Sequence, residues 1–247
     1  MQTDIQWVEK FVNDLEKETF LDYYSLEDNI YRIRMKKYIL FLYLPNTARL
    51  QDDSKHKTIH LDIDMLKSSY AKILQRIKGL MGRGERIYAR TTVPARIDKK
   101  VAIAFLEEYH LNVPLAGKYR YGLFHQGELV SVAVFSGGRV MREEMEGYRS
   151  FELLRFCHKA DYLVVGGVSK LIKTFIKDFK PNDIMTYADR DWSQHSSLES
   201  IGFKETGMTE QQSFYVKDGK RLAPQIEAQG YDYEIKNKGS IKLKLYL

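Results

Sequence analysis

Between Gly166 and Phe179 the chain sets Val168, Leu171, Ile172, Phe175, Ile176 and Phe179 on one helical face and Lys170, Lys173 and Lys177 on the other, and Pro181 stops the helix. A helix apolar along one side has to lie against another layer. Its neighbours supply that layer. Phe151 to Cys157 before it and Asp183 to Tyr187 after it are short, rich in branched or aromatic residues, and read as strands. Strand, helix, strand in this order predicts an α/β fold with a sheet beneath the helix.

More elements extend the pattern. Ile87 to Thr92 is strand-like, and Asp98 caps a helix with Val101, Phe105 and Leu106 inward. Tyr121–Phe124 and Leu129–Phe135 read as strands joined by the hairpin turn His125-Gln126-Gly127-Glu128. Ser196 to Ile201 is a short helix ended by Gly202, and Phe214 to Lys217 a last strand. Residues 86–217 are therefore expected to form a mixed central sheet flanked by helices. Residues 1–85 read as a smaller α+β region. Its first helix carries Trp7, Val8, Phe11, Val12 and Leu15, one or two strands lie within Ile30–Leu44, and one helix runs over Asp64–Leu80. Residues 218–247 read as a basic, β-rich extension.

With 44% apolar and 13% aromatic residues in 247, the chain can bury a sizeable core. Its longest apolar run, Tyr38 to Leu44, is far short of the roughly 20 residues of a membrane helix, so no membrane partner is expected. Met1-Gln2-Thr3-Asp4 lacks the basic start of a secretion signal, and a cytoplasmic location is expected. Cys157 is the only cysteine, which excludes an internal disulfide and a cysteine-rich zinc site. Of the six histidines, only His56 and His60, read as part of a polar loop, have a zinc-like spacing, so no metal is expected. The net charge of +6 suits phosphate-bearing partners but is ordinary for a soluble protein.

Gly166-Gly167-Val168-Ser169-Lys170 opens the amphipathic helix, where main-chain N–H groups and the positive helix end can hold a phosphate. Neither the Walker pattern nor the dinucleotide fingerprint is satisfied, and two glycines equally serve a tight turn. Beyond a strand's carboxyl end stands Tyr187-Ala188-Asp189-Arg190-Asp191-Trp192-Ser193. Here Asp189 can take a proton, Arg190 can bind a phosphate or carboxylate, and Trp192 can stack on a base. The alternative is a polar turn capped by Asp189, with Trp192 closing an apolar edge. Glu152 and Arg155 alternate with apolar residues on the preceding strand, as catalytic groups or as a salt bridge.

The element order over residues 86–217 resembles the GNAT acyltransferase superfamily. Val164-Val165-Gly166-Gly167-Val168-Ser169 is similar to that family's pyrophosphate-binding loop, with Val164 in place of its polar first residue. Leu198-Glu199-Ser200-Ile201-Gly202-Phe203 resembles its Tyr-Glu-Lys-Leu-Gly-Phe element, with Leu198 where a tyrosine often protonates the leaving thiolate. Arg120-Tyr121-Gly122-Leu123-Phe124, Glu128 to Val132, Glu152 to Cys157 and Tyr187 to Ser193 resemble a GNAT-like domain common in phage and mobile-element proteins, distantly Mom-like. Such domains often follow a region similar to very-short-patch-repair nucleases. Tyr31-Arg32-Ile33-Arg34-Met35 is basic where that region needs acids, so residues 1–85 are expected to be a reduced remnant without cleavage activity.

The resemblance implies acetyl-CoA or another acyl-CoA, bound by Leu154, Phe156, Cys157, Val165, Gly166, Gly167, Val168, Ser169 and Lys170. Glu152, Arg155, Asp189 and Arg190 are the implied catalytic residues, and the activity an N-acyltransferase, with nucleic acid as one possible acceptor. The competing reading is a non-enzymatic module that holds DNA or RNA through Lys173, Lys177, Arg190 and Trp192, helped by Lys236, Lys238, Lys242 and Lys244.

Overall fold

The computed structural model describes residues 2–26, 29–53, 55–141, 147–192, 196–222 and 230–247. The chain begins with α1 (Gln2–Glu16), β1 (Asp22–Leu26), β2 (Ile30–Met35), β3 (Tyr38–Tyr43), β4 (Lys57–Asp62), α2 (Ile63–Ser68) and α3 (Tyr70–Leu80). Next come β5 (Glu85–Tyr88), β6 (Val93–Arg96), α4 (Lys99–Tyr109), β7 (Tyr119–His125), β8 (Glu128–Phe135), β9 (Arg139–Val140), β10 (Arg149–His158), β11 (Tyr162–Val165), α5 (Gly167–Phe179) and β12 (Asp183–Asp189). Last are α6 (Ser196–Glu199), β13 (Lys204–Met208), β14 (Ser213–Lys217), β15 (Lys220–Arg221), β16 (Tyr233–Lys236) and β17 (Ser240–Tyr246). Contacts divide the chain into two compact units, one of residues 1–74, 188–196 and 208–241, the other of 75–187, 197–207 and 242–247. The extension expected at 218–247 is thus shared between them.

In the first unit, β1-β2-β3-β4 form a sheet in that order, antiparallel except for the β3–β4 pair. Ile33, Ile39, Leu40, Leu42 and Ile59 are completely buried, as are Val8, Phe11 and Leu15 of α1. The one helix expected over 64–80 is two. Ser69 leaves the helical region at φ −136° and ψ 32°, while the Ser68 hydroxyl donates to the Met65 carbonyl at 3.3 Å. Adjacent serines that compete for main-chain acceptors weaken a helix, and the break lets Leu66 and then Ile73 and Ile77 each turn inward. The second sheet of this unit, β15-β14-β16, contains the Phe214–Lys217 strand that had been expected beside the central sheet.

The second unit is built on a mixed sheet in the order β13-β17-β12-β10-β8-β7-β6, with β9 paired to β10. The strand expected from 214–217 is replaced there by β17, whose Ile241 and Leu243 are buried between strands that neighbour it only in space. Successive strand residues face opposite sides, so Phe135 and Val134 serve different layers. Phe175 of α5 stacks on Phe135 at 4.0 Å and meets Phe151 edge-on at 5.1 Å. On the other face, Ala102, Phe105 and Leu106 of α4 pack on Val132 and Val134, with Leu154 and Cys157 against them. The hairpin turn has Gln126 at φ 50° and Gly127 at φ 85°, the left-handed pair that a two-residue connection requires. A parallel pair of β5 and β11 stands apart from the main sheet. No described helix is long and apolar enough to cross a membrane.

Candidate active site

The parallel strands β10 and β12 pair at Ser150↔Asp183, Phe151↔Ile184 and Glu152↔Met185, and the ladder stops there. β10 runs on to His158 beside β8, and β12 runs on through Tyr187. The cause lies at Leu154. The register with β8 passes from Leu153↔Phe135 to Arg155↔Val134, so Leu154 is the extra residue of a bulge, which bends its strand. At the parting, the buried Thr186 hydroxyl donates to the Leu153 carbonyl at 2.8 Å in place of a ladder bond. Glu152 is locked to Ser136, its N–H donating to the serine hydroxyl and its carbonyl accepting the serine N–H, both at 2.9 Å. Beyond this point the β12-facing edge of β10 has no strand partner among the described residues.

The start of α5 lies past the end of β10, across the short strand β11. Gly166 is its N-cap, at φ 77° and ψ 8°, with no side-chain cap, and the Lys170 N–H bonds back to the Gly166 carbonyl at 3.0 Å. The N–H groups of Gly167, Val168 and Ser169 therefore lack helical acceptors. A Cβ on Gly167 would stand 3.0 Å from His158 Cε1 and 3.1 Å from Val164 Cγ1, so any side chain there would press on these neighbours. The His158 ring is fixed by Ser131, Oγ to Nδ1 2.6 Å, and burial pushes its pKa down to about 4, so it is neutral near pH 7. These bare amides fit an anion such as a diphosphate. Lys170 does not face them as the sequence implied: its ammonium donates to the Ala89 carbonyl at 2.7 Å and to that of Thr92, tying α5 to the turn after β5. Val165 is half exposed beside Gly166, Leu154 and Cys157 pack toward α4, and Phe156 meets His158 edge-on at 4.9 Å.

Arg155 follows the bulge and turns its guanidinium onto main-chain oxygens, Nε to Val113 at 3.0 Å and Nη1 to Leu154 at 2.7 Å. Partial burial lowers its pKa, with the charge of Glu152 opposing. No ion pair joins Glu152 to Arg155.

Asp189, Arg190 and Trp192 belong to the first unit. Asp189 accepts the Asp191 N–H at 2.9 Å, the capping arrangement of a turn, and Arg190 Nη1 donates to the Lys238 carbonyl at 2.9 Å. Trp192 is 6% exposed, which corrects its assignment as a stacking platform: burying a large indole stabilises the fold and leaves no free ring face for a base. Ser193 and His195 lie outside the described residues. Asp191, given no role of its own from the sequence, meets Arg49 at 3.2 Å. Arg49 forks onto both oxygens of Asp62 at 2.5 and 2.7 Å, and Arg221 reaches Asp62 and Asp64 at 2.6 Å each. Burial drives the Asp62 carboxyl upward, but the Arg49 bonds and charge, with Arg221, outweigh it and hold the pKa below its usual value. Burial raises that of Asp191, with Arg49 opposing. His60 lies in β4, not in a loop, and bridges the Tyr43 hydroxyl at 2.7 Å and Asp52 at 2.8 Å.

Lys173 and Lys177 are exposed on α5. The tail lysines are more committed: Lys238 pairs with Asp52 at 2.7 Å and Lys244 with the buried Asp183 at 2.9 Å. Arg120 and Ser131, which stand in segments of the resemblance, and Thr186 were given no role of their own from the sequence because each is an ordinary polar residue in a strand.

No family model and no curated protein matches the sequence. Some solved structures are similar in fold over part of the chain. The ribosomal-protein-S18-alanine N-acetyltransferase from Escherichia coli is 13% identical, with 63% of this chain and 93% of that one covered and a TM-score of 0.42. Arabidopsis thaliana Naa50, in complex with a bisubstrate analogue, is 10% identical, with 64% and 99% covered and a TM-score of 0.44. A GNAT family acetyltransferase from Elizabethkingia anophelis with acetyl-CoA bound is 11% identical, with 64% and 99% covered and a TM-score of 0.38.

Proposed function

We propose that the chain is an acyl-CoA-dependent N-acyltransferase. The observation that carries this reading is the parting of β10 from β12 after Glu152 and Met185, at the end of the sheet from which the chain leads, through β11, to the uncapped start of α5. An acyl-CoA supplies the acyl thioester. The amides of Gly167, Val168 and Ser169 hold its diphosphate, with the positive end of α5 behind them. A main-chain N–H on the open edge of β10, between Leu154 and Cys157, polarises the thioester carbonyl. Transfer would form a C–N bond to an acceptor amine and break the C–S bond, with CoA leaving as its thiolate. The amine's proton has to leave to a base or to water.

The finer parts of the proposal are a nucleic acid or nucleic-acid-associated acceptor, kinship with phage and mobile-element proteins, a nuclease-like remnant in residues 1–85, and a cytoplasmic location. The exposed Lys173 and Lys177 support the first. Replacing both with glutamine is expected to weaken salt-dependent DNA binding while acyl-CoA affinity stays constant. Titration calorimetry with acetyl-CoA tests the core of the reading. Saturable heat is expected, and a folded protein showing neither heat nor a thermal shift with any acyl-CoA would end it.

A further inference from the structure

Two guanidiniums near the bulge of β10 have no carboxylate partner among the described residues. Arg120 of β7 and Arg155 of β10 are both in register with Val134 of the strand between them. Residues directly opposite in antiparallel pairs share a face, so both arginines rise from one side of the sheet, about 10 Å apart across two strand spacings. Both reach the loop that follows α4. Arg155 Nε donates to the Val113 carbonyl at 3.0 Å, while Arg120 Nη1 donates to the carbonyls of Ala116 and Gly117 at 3.1 and 3.0 Å. That loop is seated on the bulge itself. Gly117, at φ 50°, lies so close that a Cβ there would be 2.4 Å from Val134 Cγ1 and 3.3 Å from Leu154 Cδ1.

Carbonyl acceptors satisfy N–H groups but do not cancel a charge, and a partly buried cation without an anion is costly. Among the described residues no carboxylate pairs with either guanidinium. Glu152 acts on Arg155 only through space, and Arg120 Nε is buried with no hydrogen-bond partner at all. Elsewhere buried guanidiniums meet carboxylates, Arg49 on Asp62 and Asp191 and Arg221 on Asp62 and Asp64, so although Arg49 Nε also lacks a hydrogen-bond partner, its charge is matched. The missing charge is one that a ligand would bring.

We propose that Arg120 and Arg155 form an anion-recognition pair, so that the substrate entering beside the Leu154 bulge carries a carboxylate or phosphate. This deepens the acyltransferase reading and rests on it for the place of the reacting carbon. The acid arrives either on the acyl chain or on the acceptor amine, and the two sources separate experimentally.

The test is calorimetry on the full chain. If the acid is on the acyl chain, succinyl-CoA binds about tenfold more tightly than acetyl-CoA, the factor of one charge-assisted hydrogen bond, and Arg155→Gln brings the ratio near one. If it is on the acceptor, the two thioesters bind alike, and inorganic phosphate added to the CoA-saturated protein binds in a way that Arg155→Gln or Arg120→Gln weakens about tenfold. Arg155→Lys keeps the charge but not the fork to Val113 and Leu154, so it retains most of either discrimination. A clamp that merely holds the loop would instead lose stability in all three variants and leave both comparisons unchanged. That outcome, or a wild-type protein that discriminates in neither comparison, overturns the proposal. The transferase reading fails separately: acetyl-CoA then gives no heat, while phosphate titrated without CoA still reports on the two arginines.

Discussion

Replacing Arg49 with methionine removes the one cation shared by Asp62 and Asp191 while keeping most of the apolar length of the side chain. Three contacts go: the fork onto Asp62, the 3.2 Å contact to Asp191, and the guanidinium 4.5 Å over the Tyr43 ring. Breaking a buried pair by deleting one partner costs about 3–5 kcal/mol. Asp62 keeps Arg221 at 2.6 Å, which places the loss at the lower end, about 3 kcal/mol. Among the described residues Asp191 then keeps no ion pair, only the Lys238 N–H at 3.2 Å. Urea denaturation at pH 7 measures the loss. Acid should shrink it. The raised folded-state pKa of Asp191 rises further in the variant, so the folded state takes up a proton before the unfolded chain does, and the uncompensated charge disappears as pH falls toward 4. Adding Asp191→Asn to Arg49→Met should likewise recover part of the stability at pH 7. A deficit below about 1 kcal/mol, or one that grows on acidification, would refute the reasoning that these charges depend on each other.

Gly167→Ala forces a methyl to within 3.0 Å of a His158 ring that Ser131 holds in place, and a cost of about 1–3 kcal/mol with weakened acyl-CoA binding is expected by denaturation and calorimetry. Lys170→Met should lower the melting temperature by loosening the turn after β5, yet leave acetyl-CoA affinity within about twofold, because its ammonium is spent on carbonyls; a tenfold loss would restore it to the diphosphate. The folded-state pKa of His158 is about 4 against an ordinary 6.5, so the unfolded chain binds more protons between those values and stability falls as pH drops through that window. His158→Gln should flatten the pH profile of urea midpoints there. Asp98→Ala removes the cap that accepts the Val101 N–H at 2.9 Å, and about 1 kcal/mol should be lost.

The elements with strong periodicity were legible. α5 falls at 167–179 as its apolar face demanded, and the Gln126-Gly127 turn named its hairpin. Three kinds of feature were not. The break at Ser69 is small against the apolar face that runs through it. The placement of β17 between β13 and β12 is a matter of long-range pairing that no local pattern encodes. The third is the fate of the charged residues. Asp191 and Trp192 read like a surface site because both are polar or amphipathic in a loop, and only the distant Arg49 shows why Asp191 is buried. For Gly166 and Gly167 the sequence left turn and cradle equally open; the uncapped amides favour the cradle without filling it.

Neither compact unit is a single stretch of chain, since the first takes residues 1–74, 188–196 and 208–241. No one cut in the gene releases either half with all its parts, and shuffling by recombination would strand the Asp191 carboxylate or the Arg221 guanidinium away from its counterparts. Residues 1–74 are thus tied by ion pairs of Arg49 with Asp191 and of Asp64 with Arg221 to segments far along the chain.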